Sequence, residues 1–522
     1  MVAEDPTELI RDDPTADLKS SAASGVKWSL IGTLSTQAAR LITSFVLARV
    51  LGPERYGVVA VAYVYLALAT VLIDQAFGLL VVQRPTLSRR ELGSATVVNA
   101  VGVLLLAGVT LVAAPHVAAF FDEPRVGPVI RVLALDLVFR GLAAIPMALL
   151  ARRLAFRSVA KIQVTATLVA CVAAVAAGLG GAGYWALVVQ AVVQDGLILL
   201  GALLLVGRPV LNWSRRGIRG IVAFSGALMA AQLLDFLGLN ADNMLIGRQL
   251  GAEQLAFYGL AYRLMLLFLD VITGVASRVA LPTLSRAHED PDRMRRGFLL
   301  TVRAATIGSF AVLSTVAFSV PWGIPLLLGD AWRPSVVPLV LLLSAAGFRV
   351  VLYMWGPLAT ALGRTDLVLL WTVAVVATTV AGFVVGIQWG IEGVAASYLV
   401  TSALLLVPNA LHVGRQTGVP LGDFVAAVVP GITAMAVQVG VWLVVAFGAQ
   451  QAGAPEIPAA VAATLVGLAA YVGVLRLGWH HVFVETVEMI RMVVGRPGPA
   501  PATDPAATAA TTATEGAVCS PG

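Results

Sequence analysis

Residues Leu51–Tyr63 read LGPERYGVVAVAY, and residues Leu250–Tyr262 read LGAEQLAFYGLAY. The pentapeptide PTLSR also occurs twice, at Pro85–Arg89 and at Pro282–Arg286, with nearly the same spacing. Self-similarity at a fixed spacing is the signature of a structural repeat. We therefore expect the chain to contain two related halves.

The composition excludes a soluble globular protein. Of the 522 residues, 59% are hydrophobic and only 12% are charged, and the mean hydropathy is +0.89. Apolar stretches of about 20 residues are long enough to cross a bilayer, and about fourteen of them follow one another along the chain. The sequence therefore predicts an all-α polytopic membrane protein with about fourteen transmembrane helices.

The repeat and the apolar stretches together predict the domain organisation. Each half holds six spans, and because six is even, both halves enter the membrane in the same direction as pseudo-symmetric lobes. The predicted segments are a disordered cytoplasmic N-terminus (1–24), an N-lobe of spans one to six (25–206), a C-lobe of spans seven to twelve (207–411), two additional spans (412–478), an interfacial helix (479–496) and a disordered tail (497–522).

The distribution of cationic side chains predicts the orientation. Arginines and lysines concentrate in alternate loops, such as the one holding Arg152, Arg153 and Arg157. By the positive-inside rule these loops face the cytoplasm, which places both termini there in a plasma (inner) membrane. Inner loops facing anionic lipid also account for the net charge of +6, so nucleic acid is not an expected partner.

Ionisable side chains within the predicted spans are the candidate functional residues. Each costs about 2.5 to 3.5 kcal/mol at the bilayer centre, so such groups face a cavity or a partner. Asp136 and Arg140 are four residues apart with the acid first, which favours an intrahelical ion pair. Gln232, Asp235 and Asp242 follow one stripe of the seventh span, which either lines a cavity or bonds to a neighbouring helix.

Several runs of sequence resemble the polysaccharide flippase (Wzx-type) family of the multidrug/oligosaccharidyl-lipid/polysaccharide exporter superfamily. The runs are Gly25–Gly32 (GVKWSLIG), Leu47–Ala60 (LARVLGPERYGVVA), Asp74–Arg84 (DQAFGLLVVQR), Leu239–Leu264 (LNADNMLIGRQLGAEQLAFYGLAYRL) and Leu358–Asp366 (LATALGRTD). The resemblance covers about residues 25–478. It implies a V-shaped, two-lobed transporter, not an enzyme, that turns lipid-linked oligosaccharide from the cytoplasmic to the outer leaflet.

That function assigns roles to the intramembrane side chains. Arginine matches phosphate oxygens with a planar fork of donors, and a buried carboxylate can exchange a proton or hold sodium. The predicted substrate-binding residues are Arg40, Arg263, Arg349, Gln232, Asn240 and Asn243. The predicted ion-coupling residues are Asp74, Asp235, Asp242 and Asp270. With no ATP-binding loop and no metal or catalytic motif in the sequence, no cofactor is expected beyond coupling to H⁺ or Na⁺.

The expected substrate is a polyprenyl-pyrophosphate-linked oligosaccharide for capsule, exopolysaccharide or O-antigen-like biosynthesis, moved by alternating access. Membrane lipids, glycosyltransferases and a polysaccharide polymerase are the other expected partners. A cation or drug antiporter and a lipid II flippase of the same superfamily remain alternatives, although mid-span arginines disfavour a cation pocket. A membrane-embedded polymerase is disfavoured because the outer loops are short.

Overall fold

A computed structural model describes residues 18–74, 89–207, 236, 238, 240–286, 290–361 and 365–486. Within these ranges the chain is almost wholly helical and contains no strand. Helices satisfy their own backbone hydrogen bonds, which is what a segment in lipid requires. The predicted all-α class is confirmed.

The described residues form a succession of helices. In chain order they are α1 (Leu18–Asp74), α2 (Arg89–Phe120), α3 (Val126–Arg152), α4 (Phe156–Leu179), α5 (Trp185–Val206), α6 (Ala252–Arg286), α7 (Pro291–Leu328), α8 (Val336–Tyr353), α9 (Trp355–Ala361), α10 (Thr365–Gly386), α11 (Gly390–Leu404), α12 (Leu406–Thr417), α13 (Leu421–Gln451) and α14 (Glu456–Gly478). Residues 240–249 are also helical, and Asp330–Ser335 and Ile387–Trp389 form short 3₁₀ helices.

Eleven stretches in the described part of the chain are long and apolar enough to cross a membrane. Two of them, Gly32–Val71 and Leu370–Thr417, each cover two of the predicted spans. The seventh predicted span, 221–247, lies largely outside the described residues. The chain is therefore a multi-pass membrane protein. The predicted count of about fourteen transmembrane helices stays a prediction.

Both copies of the LG motif turn the backbone at their glycine. Gly52 has φ 71° inside α1, and Gly251 has φ 88° directly before α6. Positive φ favours glycine because it has no Cβ to clash with the backbone. The two copies also pack together, since a Cβ on Gly57 would lie 2.2 Å from the carbonyl oxygen of Ala252. The sequence repeat thus has a matching local structure.

The described residues group into two compact units. The first holds residues up to Leu266 together with Ser319–Ala345 and Thr372–Ala403, and the second holds Leu267–Phe318, Ala346–Trp371 and the residues from Leu404 onward. In the first unit α1, α3, α4 and α5 pack closely, and α2 packs on α3. The predicted lobe boundaries stay predictions.

In the second unit α13 and α14 pack on α7 through buried polar contacts. The fully buried amide of Gln438 accepts a hydrogen bond from Ser314 Oγ at 2.7 Å and donates one to Thr315 Oγ1 at 3.1 Å. Tyr471 on α14 donates to the carbonyl oxygen of Ile307 at 2.8 Å. Residues 480–486 of the predicted interfacial helix are helical, and Val482 joins the same hydrophobic core.

Candidate functional site

Charged side chains from four helices of the first unit converge near the middle of those helices. Arg40 on α1 interacts electrostatically with Asp195 on α5, Arg140 on α3 and Arg263 on α6. Asp136 on α3 interacts with Asp195 and Arg140. Together with Tyr63 on α1, these residues form what we term the charged cluster: Arg40, Tyr63, Asp136, Arg140, Asp195 and Arg263.

Burial separates the acids from the bases in the charged cluster. Asp136 and Asp195 are only 5% and 8% exposed. Arg40, Arg140 and Arg263 are exposed. Guanidinium groups at mid-helix that are accessible, yet surrounded by charges from other helices, have the placement expected for the wall of a polar cavity rather than a lipid-facing surface.

Close helix contacts position the buried acids. A Cβ on Gly196 would lie 3.3 Å from the ring of Phe139, so α5 approaches α3 closely one residue away from Asp195. On the other side of α3, Asn99 of α2 donates a hydrogen bond to the carbonyl oxygen of Gly141 at 2.8 Å. Small residues and a buried amide therefore fix α3 between its two neighbours.

A second polar chain positions Arg40. Gln190 Nε2 on α5 donates to Cys171 Sγ on α4 at 3.6 Å, and Cys171 Sγ donates to the carbonyl oxygen of Ala39 at 3.7 Å. Ala39 directly precedes Arg40. The helices α1, α4 and α5 are thus linked by polar contacts at the level of the charged cluster.

The predicted ion pair of Asp136 and Arg140 is part of a larger, interhelical arrangement. The side chains of Asp136 and Asp195 hydrogen-bond to each other between α3 and α5. Arg140 interacts electrostatically with Arg40 on α1 as well as with Asp136. Four-residue spacing correctly placed Asp136 and Arg140 near each other, but it held no information about the second acid.

Tyr63 is a member of the charged cluster that sequence reasoning missed. It interacts electrostatically with Asp136, Asp195 and Arg263. The repeat was the signal in the sequence that could have identified Tyr63, because Tyr63 is equivalent to Tyr262 in it. Tyr262 belongs to an aromatic group, with its ring centroid 6.0 Å from that of Tyr258 and 6.4 Å from that of Tyr398.

Three of the other predicted residues precede α6, in the first unit. Asp242 is 1% exposed and accepts a hydrogen bond from Tyr258 Oη at 2.7 Å, and its second oxygen accepts one from the backbone N–H of Asn243 at 2.7 Å. Asn243 is 9% exposed, and Asn240 donates to the carbonyl oxygen of Phe236 at 3.1 Å. Their transport roles stay predictions, and in this conformation all three make local structural contacts.

The remaining predicted residues belong to the second unit, end a helix or lie outside the described residues. Arg349 on α8 and Asp270 on α6 belong to the second unit. Arg349 is 6% exposed, whereas Asp270 is exposed. Asp74 is the last residue of α1, and Gln232 and Asp235 lie outside the described residues. The roles of these five residues stay predictions.

A separate ionic network lies in the loop between α2 and α3. Arg125 donates to Glu123 at 2.8 and 2.9 Å and to Glu54 on α1 at 2.9 Å. The hydrogen bond from Arg125 holds the pKa of the Glu123 carboxyl below its usual range, and the two acids raise the pKa of Arg125. This network ties the loop to α1 just after its Gly52 kink.

A sequence profile of polysaccharide biosynthesis proteins matches residues 46–337. The chain belongs to this family. The match includes Tyr63, Asp136, Arg140, Asp195 and Arg263 of the charged cluster, and it confirms the resemblance predicted from the sequence.

The similarity to three individual relatives covers two thirds or more of this chain. The chain is 26% identical to the lipopolysaccharide biosynthesis protein WzxC of Escherichia coli (strain K12) over 74% of its own length and 80% of the relative. It is 24% identical to the succinoglycan biosynthesis transport protein ExoT of Rhizobium meliloti (strain 1021) over 94% of this chain and 100% of the relative. It is also 24% identical to the teichuronic acid biosynthesis protein TuaB of Bacillus subtilis (strain 168), over 67% and 73%.

Two solved structures share the fold. The lipid II flippase MurJ in an inward closed conformation superimposes on this polysaccharide biosynthesis protein with a TM-score of 0.69 at 12% identity. The superposition covers 87% of this chain and 99% of the MurJ chain. An inward-facing multidrug resistance MATE family transporter of the MOP superfamily has a TM-score of 0.56 at 13% identity, covering 74% and 98%. At these identities the likeness concerns the fold alone.

Proposed function

We propose that this protein is a flippase that moves polyprenyl-pyrophosphate-linked oligosaccharide from the cytoplasmic to the outer leaflet during surface polysaccharide biosynthesis. The observation that carries the proposal is the set of three exposed arginines, Arg40, Arg140 and Arg263, gathered at mid-helix in the first unit. The names of the relatives, which belong to lipopolysaccharide, succinoglycan and teichuronic acid biosynthesis, support the substrate class.

The chemistry of the charged cluster suits a diphosphate. A diphosphate diester carries two negative charges that are costly to bring into an apolar region without compensation. Each guanidinium offers up to two parallel hydrogen bonds to phosphate oxygens. Arg40 and Arg263 were predicted to bind substrate, and Arg140 joins them because it shares their exposure and their electrostatic environment. In this proposal the sugars contact amide side chains.

The proposed membrane orientation follows the distribution of charged loops. Both termini face the cytoplasm of a plasma or inner membrane, so the substrate enters from the side on which it is made. Fusion of a reporter that is active on only one side of the membrane, placed after Arg208 and after Asp122 in separate chains, tests this orientation. Activity on the same side for both fusions would contradict it.

The energy source in this proposal is an ion gradient or the downhill consumption of substrate. One charge crossing a potential of 100 mV is worth about 2.3 kcal/mol. Asp74, Asp235, Asp242 and Asp270 remain the proposed coupling residues, with H⁺ or Na⁺ as the ion. Glycosyltransferases and a polysaccharide polymerase are the proposed pathway neighbours of a transporter that makes no bond itself.

A cation antiporter is the main competing function, because MATE transporters share the fold. The charged cluster argues against it, since three cationic side chains repel a cationic drug. Export of a cationic dye from cells that produce the wild-type protein, undiminished by Arg40→Ala, would favour the antiporter.

The direct test is flipping of a fluorescent polyprenyl-diphosphate sugar in proteoliposomes. We expect Arg40→Ala and Arg263→Ala to lower the initial rate at least tenfold, with partial recovery in Arg40→Lys because the charge remains. Arg131→Ala is the matched control: Arg131 is exposed on α3, in its first turns, and should leave the rate unchanged. Equal rates in Arg40→Ala, Arg263→Ala and Arg131→Ala would contradict the proposed site.

A further inference from the structure

The two acids of the charged cluster form a pair that the predicted coupling residues do not include. Asp136 and Asp195 are buried, their side chains hydrogen-bond to each other, and Asp136 Oδ1 has no hydrogen-bond partner among the described residues. The packing of Gly196 against Phe139 keeps α3 and α5 close at this level. The packing of α3 against α5 therefore holds the two short acidic side chains close together.

Such a pair needs a proton. An ionised carboxylate only accepts hydrogen bonds, so a hydrogen bond between two carboxyl groups requires that one of them carry a proton. Two adjacent carboxylates in a site of low polarity also repel each other strongly, and they titrate as a coupled pair.

The groups that face the pair set its charge balance. Arg140 on α3, Arg40 and Tyr63 on α1, and Arg263 on α6 interact electrostatically with one or both acids or with each other. The three arginines favour ionised acids, whereas mutual repulsion of the acids favours a bound proton. Each proton that the pair takes up leaves the three guanidinium groups less neutralised.

We infer that Asp136 and Asp195 form a proton-binding site whose occupancy is linked to binding of an anionic diphosphate at Arg40, Arg140 and Arg263. The inference rests on the proposed function and specifies one site that controls substrate binding in it. Because linkage is reciprocal, a proton on the pair strengthens diphosphate binding, and a bound diphosphate strengthens proton binding to the same extent. No covalent step is involved, since one proton moves between solvent and the acid pair.

The first test measures protons taken up on binding. Titration calorimetry of the full-length protein in lipid nanodiscs, with a short-chain polyprenyl diphosphate as the probe, is run over a range of pH in buffers of different ionisation enthalpy. We expect net proton uptake in wild type, and an affinity that rises by up to about tenfold per unit fall in pH where the pair titrates. In Asp136→Asn and Asp195→Asn the uptake disappears and the pH dependence flattens.

The matched control is Asp122→Asn. Asp122 is an exposed loop acid with φ 54°, a conformation that asparagine also adopts readily, so this variant removes an acid without touching the charged cluster. It should bind the probe with the same proton uptake as wild type.

Infrared spectroscopy tests the pair without any ligand. The carbonyl stretch of a protonated carboxyl group should be present in wild type at neutral pH, shift in D₂O, and weaken in Asp136→Asn and Asp195→Asn but not in Asp122→Asn. Absence of this change, or probe binding without proton uptake, overturns the inference and leaves the proposed flippase intact. Failure of wild type to bind the probe at any pH overturns the diphosphate site itself, and the linkage with it.

Discussion

The indole Nε1 of Trp332 donates a hydrogen bond to the carbonyl oxygen of Ala48 at 3.0 Å, and the indole is completely buried. The contact lies one turn before the Gly52 kink of α1, where Pro53 has no N–H to offer a helical partner. The rings of Tyr56 and Phe257 meet Trp332 edge-on, with centroids at 5.5 and 5.8 Å. Trp332 thus joins the two copies of the repeat around an interrupted helix.

Replacing this indole should destabilise the protein. Trp332→Phe removes the hydrogen bond and leaves the Ala48 carbonyl buried, at a cost of about 1 to 3 kcal/mol. Trp332→Ala also creates a cavity and should cost about 3 to 5 kcal/mol. The apparent melting temperature in detergent measures both, with Trp389→Phe as control because Trp389 is 68% exposed. Similar melting temperatures for Trp332→Phe and Trp389→Phe would contradict this account.

Gly57→Ala should be poorly tolerated. The added methyl group would lie 2.2 Å from the carbonyl oxygen of Ala252, a backbone atom that cannot rotate away. We expect reduced yield of folded protein and a lower melting temperature, because the two repeat copies must separate. Gly259→Ala is the control, since nothing beyond the neighbouring backbone of its own helix lies within 4 Å of the added methyl. Monodisperse protein at wild-type yield from Gly57→Ala would show that the contact yields easily.

The Arg125 network should make a small, pH-dependent contribution to stability. Because the folded-state pKa of Glu123 is lowered, the stabilisation is present above the pKa of an unfolded glutamate and is lost as the pH falls through the folded pKa. Arg125→Gln should cost about 0.2 to 1 kcal/mol at neutral pH, and its melting temperature should approach that of wild type in acid.

The control for this prediction is Arg293→Gln. Arg293 pairs with Asp290 at 3.1 Å, but with the two side chains 72% and 45% exposed. We expect a smaller change for Arg293→Gln at neutral pH. A deficit in Arg125→Gln that persists unchanged in acid would argue that packing, and not the ion pair, is responsible.

Gln438→Leu should weaken the attachment of α13 to α7. The substitution removes the buried amide and with it the hydrogen bonds to Ser314 and Thr315. We expect a loss of about 1 to 3 kcal/mol. Gln450→Leu, on the exposed end of the same helix, is the comparison. Limited proteolysis between α12 and α13 reports the attachment directly, and equal cleavage rates in both variants would refute the prediction.

Sequence reasoning predicted the helical class and the family because both depend on local properties. Apolar length identifies a span without knowledge of its neighbours, and the family resemblance lies in contiguous runs of sequence. It also selected Arg40 and Arg263 as candidates, because an intramembrane charge is costly wherever it points.

The composition of the charged cluster could not be predicted in the same way. Whether Asp136 meets Arg140 alone or also Asp195 depends on how α3 and α5 are rotated against each other, and a helical period fixes faces only within one helix. The burial of Asp242 under Tyr258 has the same origin, because the spacing of Asp242 allowed both a cavity and a bonding partner.

The glycines at positions 52 and 251 carry a consequence for how this protein tolerates change. Every side chain larger than hydrogen is strained at both positions, because both have positive φ. The restriction occurs once in each copy of the repeat, at matching positions. A saturation survey of the gene should therefore find two intolerant codons at equivalent points of the two copies.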